Sequence, residues 1–171
     1  MKIWIRNLAI FMVVLLGAVC LVGAMLPVAH TASATRTIVG APESVWAVLV
    51  DVQSYPEWRS DVDSVQVIGL PGARRRWIEY GSGGSIPFAA EVEAPPRRLV
   101  SRIDTDELPF SGTWTTVLEV SDQGTTVTIR EDGEVTNVLF RFISRFVVGH
   151  DATILSFLDA LTVRMESARS Q

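Results

Sequence analysis

The sequence predicts an α+β fold in which a curved antiparallel sheet of about seven strands wraps on a long C-terminal helix, preceded by a transmembrane helix. Three observations lead to this prediction. Residues 8–29 form an uncharged, almost wholly apolar run. Between residues 65 and 129, apolar and polar residues alternate, which is the period of half-buried strands. After Asn137, apolar residues recur every three to four positions, which is the period of a helix.

The apolar run is long enough to cross a membrane, because about 20 helical residues span a hydrocarbon core of ~30 Å. Lys2 and Arg6 lie before the run, and basic residues stay on the cytoplasmic side. We therefore expect a single-pass protein of the cell membrane, with its N-terminus in the cytoplasm and its domain outside. A second interpretation stays open: a signal peptide cleaved at the small-residue motif Ala32-Ser33-Ala34, which would leave a secreted domain.

The next segments are predicted as a first strand and two short helices. The strand covers residues 35–39. The first helix opens at Ala41-Pro42-Glu43, because proline suits the first helical turn and a carboxylate there complements the helix dipole. A second short piece, helical or a turn, covers residues 54–59 and is broken by Pro56.

About six consecutive strands are predicted to follow. The alternation is clearest over residues 86–94, where Glu91 and Glu93 occupy the polar face. Turns are expected at residues 81–84, Pro95-Pro96 and residues 122–124, and strands joined by such short turns pair antiparallel.

The terminal helix is predicted to begin after Asn137, a suitable N-cap, and Gly149 is the position where it would kink or break. Its apolar stripe comprises Leu139, Phe142, Phe146, His150, Ile154, Phe157, Leu161 and Met165. This helix is the only large element available to cover the apolar face of the sheet. Residues 139–148 are apolar on more than one face, which is compatible with burial or with contact to the membrane surface.

Composition excludes several classes of function. The formal net charge is −4, and the domain is more acidic still without Lys2 and Arg6, so it has no basic footprint for nucleic acid. Cys20 is the only cysteine and lies inside the apolar run. Because metal-ligand spacing, a phosphate-binding loop and a nucleophile elbow are all lacking, we expect no metal and no cofactor. We divide the chain into an anchor or signal peptide over 1–29, a tether over 30–36 and a ligand-binding domain over 37–171.

Two motifs point to a known family. Pro42-Glu43-Ser44-Val45-Trp46 and the segment from Asp51 to Trp58, with its Tyr55-Pro56 pair, resemble the opening of the START/Bet v 1-like (SRPBCC) superfamily, including its bacterial polyketide cyclase/dehydrase and lipid-transport members. Residues 95–100 and 131–135 extend the resemblance, which covers about residues 35–168. It implies a helix-grip fold with a cavity between sheet and helix.

The resemblance leaves three functions open, because members of the superfamily differ widely. The leading hypothesis is a membrane-tethered binding domain for a hydrophobic small molecule or lipid. The second is an enzyme of the cyclase/dehydratase type acting on a polyketide-like substrate. The third is a non-catalytic domain that binds a protein partner.

Seven residues are candidates for the cavity. Glu131 continues the strand parity of Val127 and Ile129, so we expect it to point inward. There it would anchor a ligand hydroxyl or act as a general base, unless it pairs with an arginine at the rim. The apolar walls are expected from Trp77, Phe88, Trp114 and Phe157.

The other two candidates are polar residues on helical segments. His150 lies on the apolar stripe, either as a donor in the cavity or as a satisfied core histidine. Arg59 would hold an acidic group of the ligand at the cavity mouth, or form an ion pair with Asp61 or Asp63.

Overall fold

Seven strands form one antiparallel sheet in the computed structural model, which describes residues 2–69, 73–149 and 151–169. The strand order is β1-β7-β6-β5-β4-β3-β2. The strands are β1 (Ala29–Ile38), β2 (Ser64–Ile68), β3 (Arg76–Gly81), β4 (Gly84–Ala94), β5 (Arg98–Ile103), β6 (Phe110–Ser121) and β7 (Gly124–Val135). The helices are α1 (Lys2–Met25), α2 (Pro42–Val50), α3 (Tyr55–Trp58), α4 (Val138–Ile143) and α5 (Ala152–Arg169). The predicted fold class is confirmed.

The core lies between α5 and the inner face of the sheet. Ile154, Leu158 and Leu161 are fully buried, and their spacing places them on one side of α5. Val127 and Ile129 of β7 are equally buried, because alternate residues of a strand share a face. The helix therefore closes the sheet on the side that the sequence pattern predicts.

The first strand is longer than expected. β1 begins at Ala29 and pairs with β7 over its whole length, from Ala29 opposite Glu134 to Ile38 opposite Thr125. The predicted tether over residues 30–36 is therefore wrong. Its small and polar side chains give little apolar alternation, yet the backbone hydrogen bonds to β7 are available to any non-proline residue.

The predicted single C-terminal helix is divided. Asn137 is the N-cap of α4, as expected: its side chain accepts hydrogen bonds from the backbone N–H groups of Leu139 and Phe140 at 2.9 and 3.1 Å. A π-helical turn follows over Ser144–Val148, and Gly149 ends it with a φ of +83°, which favours glycine. The axes of the segment 138–147 and of α5 differ by 56°.

One helix of the described residues, spanning Ile3–Met25, is by itself long and apolar enough to cross a membrane. Its C-terminal end packs on α4, where a Cβ atom added to Gly23 would overlap the carbonyl oxygen of Val138. The Arg141 guanidinium donates a hydrogen bond of 2.9 Å to the carbonyl oxygen of Leu26, just beyond the helix end. Helix α1 is thus in direct contact with α4 and with the start of the folded domain.

Candidate ligand-binding cavity

A cavity of about 590 Å³ lies between the inner face of the sheet and the helices. Ligand sites typically enclose about 300–1,000 Å³, so its volume suits a small organic molecule. At one wall, the rings of Trp77 and Phe88 are stacked, with centroids 5.5 Å apart and planes inclined by 19°. The two residues are direct neighbours across β3 and β4, which brings the rings together.

Phe157 of α5 connects the helix to the aromatic residues around it. Its ring lies edge-on to Trp114 and Trp58, with both centroid distances 5.6 Å. Tyr55 lies 6.2 Å from the same ring, and its hydroxyl donates a hydrogen bond of 2.8 Å to the carbonyl oxygen of Leu49. Burial raises the pKa of Tyr55 well above its usual range, and the charge of Glu79 raises it further, so the phenol stays neutral.

Glu131 points into the cavity with both oxygens engaged. Oε2 accepts a hydrogen bond of 2.8 Å from the Trp114 indole, which stands directly opposite in the β6–β7 register. Oε1 lies 3.2 Å from Nε2 of His30 on β1. The partners of this carboxylate in the structure are therefore an indole and an imidazole, in place of the arginine that the sequence left open.

The position of His30 depends on a glycine. His30 stands opposite Gly133 in the β1–β7 register. A Cβ atom added to Gly133 would lie 2.5 Å from the imidazole Cε1, which is closer than real contacts allow. The missing side chain at position 133 therefore makes the space in which the imidazole reaches Glu131.

The second polar group of the cavity is centred on Arg59. Its Nη1 donates to Glu79 at 3.0 Å and its Nη2 donates to Asp61 at 2.6 Å. Glu79 also accepts a hydrogen bond of 2.9 Å from the Trp77 indole. The guanidinium lies 5.0 Å from the ring centroid of Tyr55, which is within cation–π distance.

These contacts keep the ion pair charged. Burial alone lowers the pKa of Arg59, but the hydrogen bond to Asp61 and the charges of Glu79 and Asp61 outweigh it, so the net shift is upward. Burial likewise raises the pKa of Asp61, and the hydrogen bond and charge of Arg59 reverse this, so the net shift is downward. The positive charge of Arg59 is thus already balanced by two carboxylates.

The cavity wall contains six of the seven candidate residues: Arg59, Trp77, Phe88, Trp114, Glu131 and Phe157. Their contact with a ligand stays a prediction. His150, the seventh, lies outside the described residues. Among the described residues, no group of three or more His, Cys, Asp and Glu side chains is arranged to hold a metal ion.

Several polar residues of the wall are not among the seven candidates, and three of them take part in the contacts described above: His30, Glu79 and Tyr55. Glu79 carries a usable signal, because it lies two positions after Trp77 and so shares its face of β3. His30 carries no such signal, since Glu131 is 101 residues away along the chain and the sequence pattern around His30 predicts a tether.

Comparison with known proteins agrees with this architecture. Three solved structures share the fold. The di-domain ARO/CYC StfQ from the steffimycin biosynthetic pathway has a TM-score of 0.67 at 14% identity, and the alignment covers 84% of this chain but only 53% of StfQ. The Zhui aromatase/cyclase from Streptomyces sp. R1128 has a TM-score of 0.65 at 13% identity, covering 81% and 94% of the two chains. A point mutant of Thalictrum flavum norcoclaurine synthase has a TM-score of 0.66 at 8% identity, covering 83% and 97%.

At the level of sequence, no curated protein matches the chain. A family model does match: residues 29–166 fit the model described as polyketide cyclase / dehydrase and lipid transport, which includes all seven strands and most of α5. The chain belongs to the polyketide cyclase / dehydrase and lipid transport family.

Proposed function

We propose that this domain binds a lipid or another hydrophobic small molecule in its cavity, while α1 holds it at the outer face of the cell membrane. The observation that carries the proposal is the cavity of about 590 Å³, walled by aromatic rings and containing two fixed polar groups. Such a site matches the general form of small-molecule pockets, in which apolar walls supply affinity and a few polar atoms orient the ligand.

The charges in the cavity favour a neutral or hydrogen-bond-donating ligand. The guanidinium of Arg59 is engaged by Glu79 and Asp61, so an anionic group would have to displace a carboxylate. Glu131 offers the opposite chemistry, because an ionised carboxylate has about four lone-pair sites and two hydrogen-bond partners are shown here. A ligand hydroxyl or ammonium group fits this end of the cavity better than a carboxylate or phosphate.

The length of β1 favours a retained anchor over a cleaved leader. Cleavage after Ala34 would remove residues 29–34, which pair with β7. It would also remove His30 from Glu131. Intact-mass measurement of the protein from host membranes tests this point: a chain that retains α1 agrees with the proposal, and a chain starting at Thr35 refutes it.

Ligand binding is tested by native mass spectrometry of the full-length chain extracted from host membranes in detergent. We expect a small molecule to co-purify, and Ser101→Trp to abolish it, because position 101 lines the cavity. Thr126→Trp is the matched control, since residue 126 alternates with the buried residues of β7 and lies on the outer face. The proposal fails if the wild type carries no ligand and shows no saturable tryptophan quenching by N-phenyl-1-naphthylamine.

A second candidate function is a cyclase or dehydratase activity. The observation that favours it is the distance of 3.2 Å between Glu131 and His30 inside the cavity, since a carboxylate–imidazole pair can move protons. Glu131→Gln should then retain its ligand but accumulate the unreacted form. For a dehydration, the ligand recovered from the variant would be heavier by one water molecule than that from the wild type, whereas identical masses would exclude this activity.

A further inference from the structure

The segment between the sheet and α5 packs on α1 and also lines the cavity. We infer that this segment, Val138–Val148, forms a lip that rests in the membrane interface and through which the ligand passes between the bilayer and the cavity. Both parts of this inference rest on the proposed function: the passage of ligand rests on ligand binding in the cavity, and contact with the bilayer rests on α1 as a retained membrane anchor that packs on α4.

The depth of the lip in the membrane follows from the length of α1 and from the place where α1 contacts α4. The span Ile3–Met25 has 23 residues, and at ~1.5 Å per residue it is about 34 Å long, slightly more than a hydrocarbon core. Its contact with α4 is at Gly23, two residues from the C-terminal end of the span. When α1 crosses the bilayer, α4 therefore lies level with the boundary between acyl chains and head groups.

The outer surface of the lip suits that boundary. Phe146 and Val147 are 58% and 72% exposed, and Arg145 is exposed beside them. Exposed apolar side chains next to an arginine are typical of segments that lie in a membrane interface, where the ring enters the acyl region and the guanidinium meets phosphates. By contrast, the large apolar residues of the inner face of α5, such as Leu158, are buried in the domain.

The inner surface of the same segment belongs to the cavity. Phe140, Ile143 and Ser144 line it, as do Gly149 and Thr153 immediately after the lip. One short segment therefore separates the cavity from the side of the domain on which the anchor lies. A ligand that left between this segment and the sheet would enter lipid directly, without crossing water.

The lip also has the features of a movable element. Only its first half, α4, is a regular α-helix, because its second half is a π-helical turn. Its C-terminal end is Gly149, with a φ of +83°. A glycine in this position can absorb a change in backbone dihedrals at low steric cost, as hinge residues do.

Contact with the bilayer is tested with the full-length chain in nanodiscs. An environment-sensitive nitrobenzoxadiazole label is placed at Val147→Cys in a Cys20→Ser background, and the lipids carry a spin-label quencher near the head group. Val120→Cys is the control, since Val120 is 80% exposed but lies far from the lip. Phe110 stands opposite Val135, just before the lip, and Val120 is ten residues further along β6, about 33 Å away at ~3.3 Å per residue. We expect several-fold stronger quenching at position 147, and equal quenching at the two positions refutes membrane contact.

Passage of the ligand is tested by stopped-flow uptake of N-phenyl-1-naphthylamine from phosphatidylcholine vesicles into the full-length protein, followed by tryptophan quenching. We expect Val147→Asp to slow uptake several-fold without changing the quenching at equilibrium, and Val120→Asp to leave the rate unchanged. Equal rates for the two variants refute the passage route. A wild type that takes up no probe refutes the proposed function, and lipid quenching at position 147 then still decides whether the lip contacts the bilayer.

Discussion

Replacing Arg59 with methionine should destabilise the domain strongly. The side chains of Arg59 and Glu79 are each 11% exposed, so the pair is nearly buried, and Arg59→Met leaves the Glu79 carboxylate with the Trp77 indole as its remaining hydrogen-bond partner shown here. Breaking a buried pair by removing one partner costs about 3–5 kcal/mol. Both residues line the cavity and keep some exposure, so solvent should partly screen the charge, and we expect a loss near the lower limit, about 3 kcal/mol.

That loss corresponds to a fall in melting temperature of about 6–12 °C, since 1 kcal/mol shifts a domain of this size by about 2–4 °C. The assay is intrinsic tryptophan fluorescence of the full-length chain in nanodiscs during heating. The double variant Arg59→Met/Glu79→Leu should regain most of the loss, because it leaves no buried unpaired charge: the carboxylate that still lacks its partner is Asp61, whose side chain is 56% exposed and stays hydrated. Arg130→Met, which breaks an ion pair on the outer face, should not shift the transition. The prediction is wrong if Arg59→Met has the same melting temperature as Arg130→Met, or if the double variant has a melting temperature no higher than that of Arg59→Met.

Three further substitutions test the packing and the charge balance around the cavity. Gly133→Ala places a methyl group 2.5 Å from the His30 ring, so urea titration should show a loss of about 1–3 kcal/mol that His30→Ala largely restores. Leu158→Ala removes a fully buried side chain and should cost about 2–5 kcal/mol in the same titration, whereas Val163→Ala, at a 61% exposed position, should change stability by less than about 0.5 kcal/mol. The pKa of Asp61 is lowered on folding, so its contribution is complete above the unfolded value of about 3.9 and is lost as the pH falls below it. Asp61→Asn should therefore flatten the dependence of the urea midpoint on pH below about 4.

Each of these expectations has an outcome that contradicts it. An alanine at position 133 that leaves stability unchanged would mean that His30 does not occupy the space above the β7 backbone. Equal losses at positions 158 and 163 would contradict the assignment of the buried face of α5. An unchanged pH profile for the Asp61 variant would show that its carboxylate is not held by the neighbouring guanidinium.

Most of the sheet could be predicted from the sequence because apolar and polar residues alternate in most of its strands, although a bulge between Ala90 and Val92 interrupts the alternation in β4. Phe88 and Ala90 share the inner face of β4, and Trp77 lies beside Phe88 as strand pairing requires. Glu131 was expected to point inward by the same parity, and its side chain does reach the cavity. A period of two depends only on local geometry, so one sequence is enough to detect it.

Other features could not be predicted because they depend on distant partners. The strand character of residues 29–34 comes from pairing with β7, about a hundred residues later, and its small side chains leave no local pattern. The place of His30 in the cavity is hidden for the same reason. The division of the terminal helix was expected at Gly149, but the packing of α4 on α1 rather than on the sheet depends on a contact near Gly23 that no periodicity reveals.

The short connection after α1 limits how far the domain can travel. Leu26, Pro27 and Val28 alone separate the helix from the edge strand of the sheet, and three extended residues reach only about 10 Å. With α1 in a bilayer, the ligand-binding domain therefore stays directly beside the membrane that contains its own helix. Any exchange with a second membrane or with a distant enzyme would require that partner to come to it.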